Sequence, residues 1–217
     1  MKIQIISLFP EMFPAVLNTS MMQKAQIIEA VSFDFINLRD FGLGPRKQVD
    51  DTPYGGGDGM LLMIEPLTKA VEFAKSKDNT AQVILMTPKG STWNQQKAKQ
   101  FSLSKTGLII ICARYEGYDE RITSIVDEQI SIGDFVLTGG ELPAMVMIDS
   151  IVRLLPKVLG GKNSAEIESF SESNTLEYPQ YTRPEVYKGL KVPAVLLSGN
   201  HNEIAKWRSA NSQKKKN

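Results

Sequence analysis

The sequence predicts an α/β fold in which helices cover a parallel β-sheet. Short apolar runs, such as QVILMT (Gln82–Thr87) and GLIIIC (Gly107–Cys112), have the length and composition of strands that are buried on both faces. Segments with helical spacing separate these runs. Because strands that alternate with helices are typical of parallel sheets, this order of elements predicts the class.

The first half of the chain is predicted to combine strands, helical segments and one long loop. Alternating apolar residues indicate the strands, and apolar residues three and four positions apart indicate the helices. In order, the elements are strand Lys2–Leu8, helical segment Glu11–Ala30 with a break at Ser20, strand Val31–Leu38, loop Arg39–Met60 and helix Glu65–Lys75. The loop is rich in Gly, Pro and Asp, and a loop of this length is usually functional or disordered.

The middle of the chain is predicted to hold the buried strands of the sheet and their connecting helices. In order, the elements are strand Gln82–Thr87, helix Asn94–Phe101, strand Gly107–Cys112, helix Asp119–Asp127, strand Gln129–Ile132 and helix Glu141–Leu155. We expect Pro88 and Gly90 to end the first of these strands. Pro143 fits the first turn of the last helix, because a backbone N–H at this place has no partner within the helix.

The end of the chain is predicted to be a linker followed by a small, mainly helical domain. Lys157–Ser173 has no periodicity and contains Gly and Ser residues, whereas short helices are predicted near Pro184–Leu190 and at Asn202–Ser209. We therefore divide the chain into a first domain at 1–160, a linker at 161–173 and a C-terminal domain at 174–217.

Charge is distributed unevenly along the chain. Ser171–Asn217 contains eight Lys or Arg and four Glu, whereas the residues before it contain 17 basic and 20 acidic groups. A basic region at one end indicates a polyanion partner such as RNA. The alternative is that the lysines Lys214–Lys216 only make the tail soluble.

Several protein classes are disfavoured by what the sequence lacks. The single cysteine, Cys112, cannot form an internal disulfide and is expected to be a core thiol, and the N-terminus does not resemble a signal peptide. We therefore expect a cytoplasmic protein. P-loop and G-x-G-x-x-G motifs are missing, and one Cys with one His, His201, cannot supply a common protein metal site.

Three loops are expected to form a ligand site, because each follows a buried strand and ligands bind at the carboxyl ends of parallel strands. The loops are Thr87–Gly90, Ala113–Tyr118 and Gly133–Glu141. Glycine lets the backbone approach a ligand closely, and Phe135–Leu137 supplies apolar side chains for the faces of a flat ring. The alternative is that these glycines only turn the chain.

A glycine-rich segment in the long loop is a second candidate for ligand contact. Pro53–Gly59 surrounds the aromatic ring of Tyr54 with glycines, so it is suited to fold over a flat substrate. The alternative is a flexible hairpin tip.

Six segments together resemble the bacterial tRNA (guanine-N1)-methyltransferase family, in one order over nearly the whole chain. They are ISLFPEMF (Ile6–Phe13), VDDTPYGGGDGM (Val49–Met60), RYEGYDER (Arg114–Arg121), SIGDFVLTGGELPA (Ser131–Ala144), YTRPEV (Tyr181–Val186) and LSGNH (Leu197–His201). The resemblance implies transfer of a methyl group from S-adenosylmethionine to N1 of the tRNA guanine just 3′ of the anticodon. It also implies a SPOUT fold with a deep trefoil knot at about residues 83–145, a homodimer with the active site across the interface, and a C-terminal domain that binds tRNA.

The resemblance implies three sets of site residues. Arg153 is expected to hold the guanine O6 and Glu168 to act as the general base on N1–H. The cofactor set is Met86, Thr87, Pro88, Ala113, Tyr115, Gly117, Ile132, Gly133, Asp134, Phe135, Val136, Leu137, Gly139, Gly140 and Pro143. The substrate set is Tyr54, Gly55, Gly56, Gly57, Asp58, Gly59, Arg183 and His201. A requirement for Mg²⁺ is left open.

The chain departs from the family pattern at three places. Glu168 stands where the family normally has Asp, Ala113 where it usually has Gly, and the chain stops soon after Arg208, where family members usually continue. These departures leave open a weakly active dimer that binds cofactor and RNA. A second alternative is a SPOUT methyltransferase that acts on ribosomal RNA, against which YTRPEV and Arg153 argue.

Overall fold

A computed structural model describes residues 1–160, 168–170 and 175–214 of the chain. The chain divides into two compact units, Met1–Gly160 and Gly161–Asn217. Most of the segment that the sequence assigns to a linker, 161–173, lies outside the described residues. Among the helices that are described, none has the length and apolar character that crossing a lipid bilayer requires.

A five-stranded parallel sheet forms the centre of the first unit. The strands of this unit are β1 (Lys2–Ser7), β2 (Ser32–Asn37), β3 (Asp50–Asp51), β4 (Leu61–Leu62), β5 (Gln82–Thr92), β6 (Leu108–Cys112) and β7 (Glu128–Ser131). The sheet order is β2-β1-β6-β5-β7, and every neighbouring pair is parallel. This confirms the predicted α/β class with a parallel sheet.

Helices cover both faces of this sheet, which explains why its inner strands β5 and β6 contain continuous apolar runs. The helices are α1 (Pro14–Leu17), α2 (Ser20–Ile27), α3 (Ile64–Lys77), α4 (Gln95–Leu103) and α5 (Glu141–Val152). On one face, Ile5 and Ile110 belong to a core cluster with Phe101 of α4 and Ile148 of α5. On the other face, strand residues such as Val83 pack with α3.

The prediction that β5 ends at Thr87 is wrong, because the strand continues to Thr92. Both Met86 and Ser91 pair with Ile130 of β7, so the residues between them bulge out of the ladder. Pro88 has no N–H to donate to a ladder. Pairing resumes after Gly90, where a Cβ atom would lie 2.4 Å from the backbone nitrogen of Ile130.

The prediction of one unstructured loop over Arg39–Met60 is also wrong in part. A 3₁₀ helix, Leu38–Phe41, begins this stretch, and β3 then pairs with β4 as an antiparallel hairpin. Similarly, the helix predicted at Asp119–Asp127 is a shorter 3₁₀ helix, Glu120–Ile125, which is capped by the side chain of Asp119.

The second unit combines small antiparallel pairs with two helices. Its elements are β8 (Thr175–Leu176), β9 (Val186–Tyr187), β10 (Leu190–Lys191), α6 (Ala194–Leu197), α7 (His201–Asn211) and β11 (Gln213–Lys214). The helix predicted near Pro184–Leu190 is instead the β9–β10 hairpin. Lys188 and Gly189 both have positive φ angles, of 49° and 84°, as a two-residue hairpin turn requires.

Candidate active site

A cleft of about 570 Å³ lies at the bulge of β5 and at the carboxyl ends of β6 and β7. Its walls come from this bulge and from the loops that follow β6 and β7, as expected for a ligand site in a parallel sheet. The structure brings every residue of the expected cofactor set to this cleft except Asp134. The three loops therefore form one site, although they are separate in the sequence.

Asp134 differs because it lies at the apex of a tight turn. The N–H of Phe135 donates to the carbonyl of Gly133 at 3.0 Å, and Gly133 has a φ of 150°. The Asp134 side chain is exposed and does not line the cleft. The expected role of Asp134 in the cofactor set therefore stays a prediction.

Apolar side chains on the cleft are exposed to an unusual degree. Phe135 is 52%, Val136 84% and Leu137 39% exposed, and all three line the cleft. Apolar groups in a concave site are typical of sites for small molecules and cofactors. The cleft is therefore suited to cover the faces of a planar ring.

The loop after β6 is bound tightly to the β3–β4 hairpin. The N–H of Leu62 donates to the carbonyl of Gly117 at 3.0 Å, and the N–H of Glu116 donates to the carbonyl of Met60 at 3.1 Å. A Cβ atom at Gly59 would lie 2.5 Å from Cγ of Glu116. The glycine-rich hairpin therefore starts directly beside the cleft.

Tyr115 occupies a special position in this loop. Its φ of 59° is uncommon for a residue with a side chain, and such strain is often found at functional sites. Burial raises the pKa of its hydroxyl, and the negative charge of Asp50 raises it further, whereas Arg39 acts in the opposite direction. Tyr115 therefore remains a neutral hydroxyl at neutral pH.

A polar cluster lies at the side of the cleft that β5 and β7 form. Lys89 is 3.0 Å from Glu120, and this ion pair raises the pKa of the Lys89 ammonium group. The Tyr118 hydroxyl donates to Oγ1 of Thr87 at 3.2 Å. These groups give the cleft polar edges beside its apolar wall.

Beneath the cleft, Arg114 and Glu141 form an ion pair, with Nε and Oε2 2.8 Å apart. Glu141 is fully buried. Its other oxygen accepts a hydrogen bond from the hydroxyl of Ser7 at 2.7 Å.

Cys112 is a core thiol, as the sequence predicts. It is buried at the end of β6, and its pKa lies well above the usual value because of burial first and the charge of Glu141 second. A protonated, buried thiol is not a nucleophile.

Of the two expected catalytic residues, Arg153 belongs to the same unit as the cleft and does not line it. Arg153 caps the C-terminal end of α5, whereas the cleft lies at the N-terminal end of this helix, at Gly140. Glu168 belongs to the second unit and is half-buried.

The expected substrate residues lie in two places. Residues 54–59 form the tip of the β3–β4 hairpin, where Tyr54 is fully exposed. Arg183 and His201 belong to the second unit, and His201 lines a cavity of about 430 Å³ together with Tyr178 and Arg208. Arg208 lies 4.9 Å from the centre of the Tyr178 ring.

Sequence reasoning missed several side chains that line the cleft. They are Leu61, Lys89, Arg114, Glu116, Tyr118, Glu120, Ile130, Ser131 and Thr138. Most lie inside the loops already singled out, so extending the set to whole loops would have found them. Leu61 and Glu120 come from neighbouring elements, and the loop pattern carried no signal for them.

Comparison with known proteins identifies the family. The family model described as tRNA (Guanine-1)-methyltransferase TrmD matches residues 1–217. The chain belongs to this family. The match extends over both units and includes the three cleft loops, so the cleft belongs to a tRNA (guanine-1)-methyltransferase fold rather than to an unrelated α/β protein.

Individual members of the family are similar over nearly their whole length. A tRNA (guanine-N(1)-)-methyltransferase of Halalkalibacterium halodurans is 52% identical over 217 residues, covering 99% of this chain and 87% of the relative. The enzyme of the same name from Bacillus subtilis is 52% identical over 214 residues, covering 98% of this chain and 87% of the relative. A crystal structure of tRNA (m1G37) methyltransferase from Aquifex aeolicus has a TM-score of 0.80 and 38% identity, covering 95% of this chain and 87% of that chain.

Proposed function

We propose that this chain transfers a methyl group from S-adenosylmethionine to N1 of the guanine just 3′ of the anticodon in tRNA. The observation that carries the proposal is the cleft at the bulge of β5 and the ends of β6 and β7, which gathers all but one of the residues that the family resemblance assigns to the cofactor. The relatives that cover the chain are named for this methylation of tRNA, which favours tRNA over ribosomal RNA as the substrate.

The residues of the cleft fit S-adenosylmethionine. A volume of about 570 Å³ lies within the usual range for cofactor sites. Phe135 and Leu137 offer apolar surface to an adenine ring, and Glu116 places a carboxylate among the lining residues, where a positively charged ligand is favoured. When bound, this cofactor supplies an electrophilic methyl group.

An apolar stripe on α5 supports a homodimer. Leu142 and Val146 are 52% and 48% exposed, although most of this helix is buried. They lie four residues apart and therefore on one face of the helix. Asp149 and Arg153 continue the same face. A second copy packed on this stripe would cover the apolar side chains and bring Arg153 into the interface.

The length of α5 supports an active site that is shared between two copies. Gly140 and Arg153 cap opposite ends of the helix, so they are separated by about 20 Å at the usual rise of 1.5 Å per residue. An arginine side chain does not span this distance. Arg153 of one copy is therefore proposed to act at the cleft of its partner.

In the proposed reaction, Arg153 binds the guanine O6 and stabilises the negative charge that develops as N1 loses its proton. Glu168 accepts this proton. The target guanine leaves its stack to reach the cleft, and the hairpin tip at residues 54–59 covers it.

The finer domain organisation is part of the same proposal. The segment between β7 and α5 crosses from the edge of the sheet toward β6, where the N–H of Gly140 donates to the carbonyl of Ala113 at 2.8 Å. This crossing supports a SPOUT domain at 1–160 with a trefoil knot.

The basic residues of 174–217 support a role for the C-terminal domain in tRNA binding. The proposed location is the cytoplasm, where tRNA is modified.

A methylation assay tests the proposal. Unmodified tRNA transcript is incubated with labelled S-adenosylmethionine, and the product nucleoside is identified by mass spectrometry. We expect N1-methylguanosine 3′ of the anticodon, and no product from a matched transcript with adenine at that position. Methylation of ribosomal RNA, or cofactor binding without turnover, would instead support the two alternatives. Repeating the assay with EDTA shows whether Mg²⁺ is required.

A further inference from the structure

The shape of the cleft depends on the distance between two loops. The loop after β6 contributes Arg114 to the lining, and the loop after β7 contributes Thr138 and Gly139. A backbone hydrogen bond from Gly140 to Ala113 connects these loops at their base. A second connection runs from a side chain of the first loop to the backbone of the second.

Arg114 makes this second connection. Its Nη1 donates to the carbonyl of Thr138 at 3.2 Å, and its guanidinium group lies 4.6 Å from the centre of the Phe9 ring. A Cβ atom at Gly139 would lie 2.3 Å from Nε of Arg114. The loop after β7 therefore packs directly on the guanidinium group, and glycine provides the room.

Glu141 and Ser7 hold Arg114 in this position. The fully buried carboxylate of Glu141 lies 2.8 Å from Nε of Arg114 and accepts a hydrogen bond from the Ser7 hydroxyl. Ser7 is anchored in turn, because its oxygen accepts the N–H of Phe9 at 2.9 Å. Glu141 and Ser7 do not line the cleft themselves, so they act on it through Arg114.

Stability alone does not explain this arrangement. Desolvation of a buried ion pair offsets much of its electrostatic attraction, and apolar residues of similar volume are often as stabilising. The contact between Arg114 Nε and Glu141 Oε2 lacks hydrogen-bond geometry, but hydrogen bonds from Ser7 to Glu141 and from Arg114 to Thr138 fix both partners in a way that apolar packing does not. The main contribution of Ser7, Glu141 and Arg114 is therefore to fix the position of the two loops.

We propose that Ser7, Glu141 and Arg114 form a buried brace that sets the separation of the two cofactor loops. Glu141 and Arg114 are then positioning residues for methyl transfer. The inference rests on the proposed function, because it assumes that S-adenosylmethionine binds in this cleft.

A charge-free double variant separates positioning from stability. Arg114→Met combined with Glu141→Leu removes both buried charges together, so the melting temperature is expected to stay near that of the parent. The dissociation constant of S-adenosylmethionine, measured by calorimetry, is expected to rise on the order of tenfold, because a hydrogen bond to the loop is lost. Single-turnover methylation of tRNA should fall about 100-fold, since small misplacements of reactants are costly.

A matched control uses the exposed ion pair of α3. Lys69 and Glu65 are 2.8 Å apart, and Lys69→Met with Glu65→Leu removes this pair, which does not line the cleft. This control should bind the cofactor like the parent. If the double variant at the brace does not fold, Arg114→Lys replaces it, because lysine keeps the charge opposite Glu141 but loses the guanidinium fork.

The outcomes separate the two proposals. Weak cofactor binding by a folded brace variant supports the brace. Parent-like binding and turnover by the double variant, or by Arg114→Lys if the double variant does not fold, overturns the brace and leaves the proposed function intact. If the parent itself does not bind S-adenosylmethionine, the proposed function fails and the brace fails with it.

Discussion

Gly140 is a residue at which the loop after β7 packs closely against the end of β6. A Cβ atom here would lie 2.8 Å from Cα of Cys112 and 2.9 Å from the backbone nitrogen of Ala113. Backbone atoms in a buried strand cannot move aside as a flexible side chain can. The requirement for glycine at this position therefore comes from packing within the protein as well as from any ligand.

This packing predicts that Gly140→Ala destabilises the fold. We expect the free energy of unfolding to fall by about 1 to 3 kcal/mol, which is the usual cost of overpacking. Chemical denaturation measures this change. Gly160→Ala is a matched control, because a Cβ atom there meets nothing within 4 Å, and its stability should stay within about 1 kcal/mol of the parent. Equal stability of the two variants would contradict the packing argument.

Glu168 is the residue on which the proposed chemistry depends most. A carboxylate is competent to accept the N1 proton, and Glu168→Ala is predicted to lower the single-turnover rate of methylation about 100-fold, as expected for loss of a general base. Glu168→Asp should retain much of the rate, because it keeps the carboxylate.

Binding measurements provide the control for Glu168. The dissociation constants of S-adenosylmethionine and tRNA should change little in Glu168→Ala, since the base acts in the chemical step. A parent-like rate in Glu168→Ala would show that another group, such as Glu116 at the edge of the cleft, accepts the proton.

At the scale of elements, α5 carries buried apolar residues on one face and the exposed Leu142 and Val146 on another. Val146 is half exposed on the face that is proposed to contact a second copy. Val146→Glu is predicted to produce a monomer, because burying an unpaired carboxylate in an interface is costly. Light scattering after gel filtration measures the mass.

Leu103→Glu is the matched control for Val146→Glu. Leu103 is 75% exposed at the end of α4, outside the stripe on α5, so its replacement should leave the mass unchanged. A dimeric Val146→Glu protein would place the interface elsewhere.

The sheet strands and main helices could be predicted because their signals are local. Apolar runs mark β5 and β6, and the spacing of Leu67, Ala70 and Ala74 marks α3. The continuation of β5 past Pro88 could not be predicted in this way. It depends on the fit of Gly90 against the backbone of Ile130, and this contact is not visible in the local sequence.

The same distinction applies to the candidate site. Two of the segments that line the cleft follow the buried strands β6 and β7, so their place could be predicted from the general behaviour of parallel sheets. The contact of Arg114 with Glu141 and Ser7 could not be predicted. Ser7 and Glu141 are 134 positions apart, and their hydrogen bond appears only when β1 and the start of α5 are placed side by side.

At the scale of the whole molecule, a shared active site predicts complementation between two inactive variants. Leu137→Arg adds bulk and positive charge to the cleft, and Arg153→Ala removes the proposed contact with guanine. When the two variants are unfolded together and refolded, half of the dimers are mixed, and each mixed dimer has one intact site. We therefore expect about a quarter of the parent activity in a methylation assay.

The controls for complementation are each variant refolded alone, and both should be inactive. If each active site were formed by the cleft and the Arg153 of the same copy, the refolded mixture would be inactive as well. Activity of the mixture thus distinguishes a site across the interface from a site within one chain.

The position of β1 inside the sheet also determines what happens while the protein is being made. During synthesis, β2 soon follows β1 and can pair with one of its edges. The other edge of β1, at Ile3 and Ile5, stays unpaired until Leu108 and Ile110 of β6 have been made. At about 5 to 20 residues per second, the ribosome needs roughly 5 to 20 seconds to reach these residues. During this interval an apolar strand edge is open to pairing with other nascent chains. Rapid overexpression should therefore cause aggregation during synthesis, and slower translation at low temperature should increase the soluble yield.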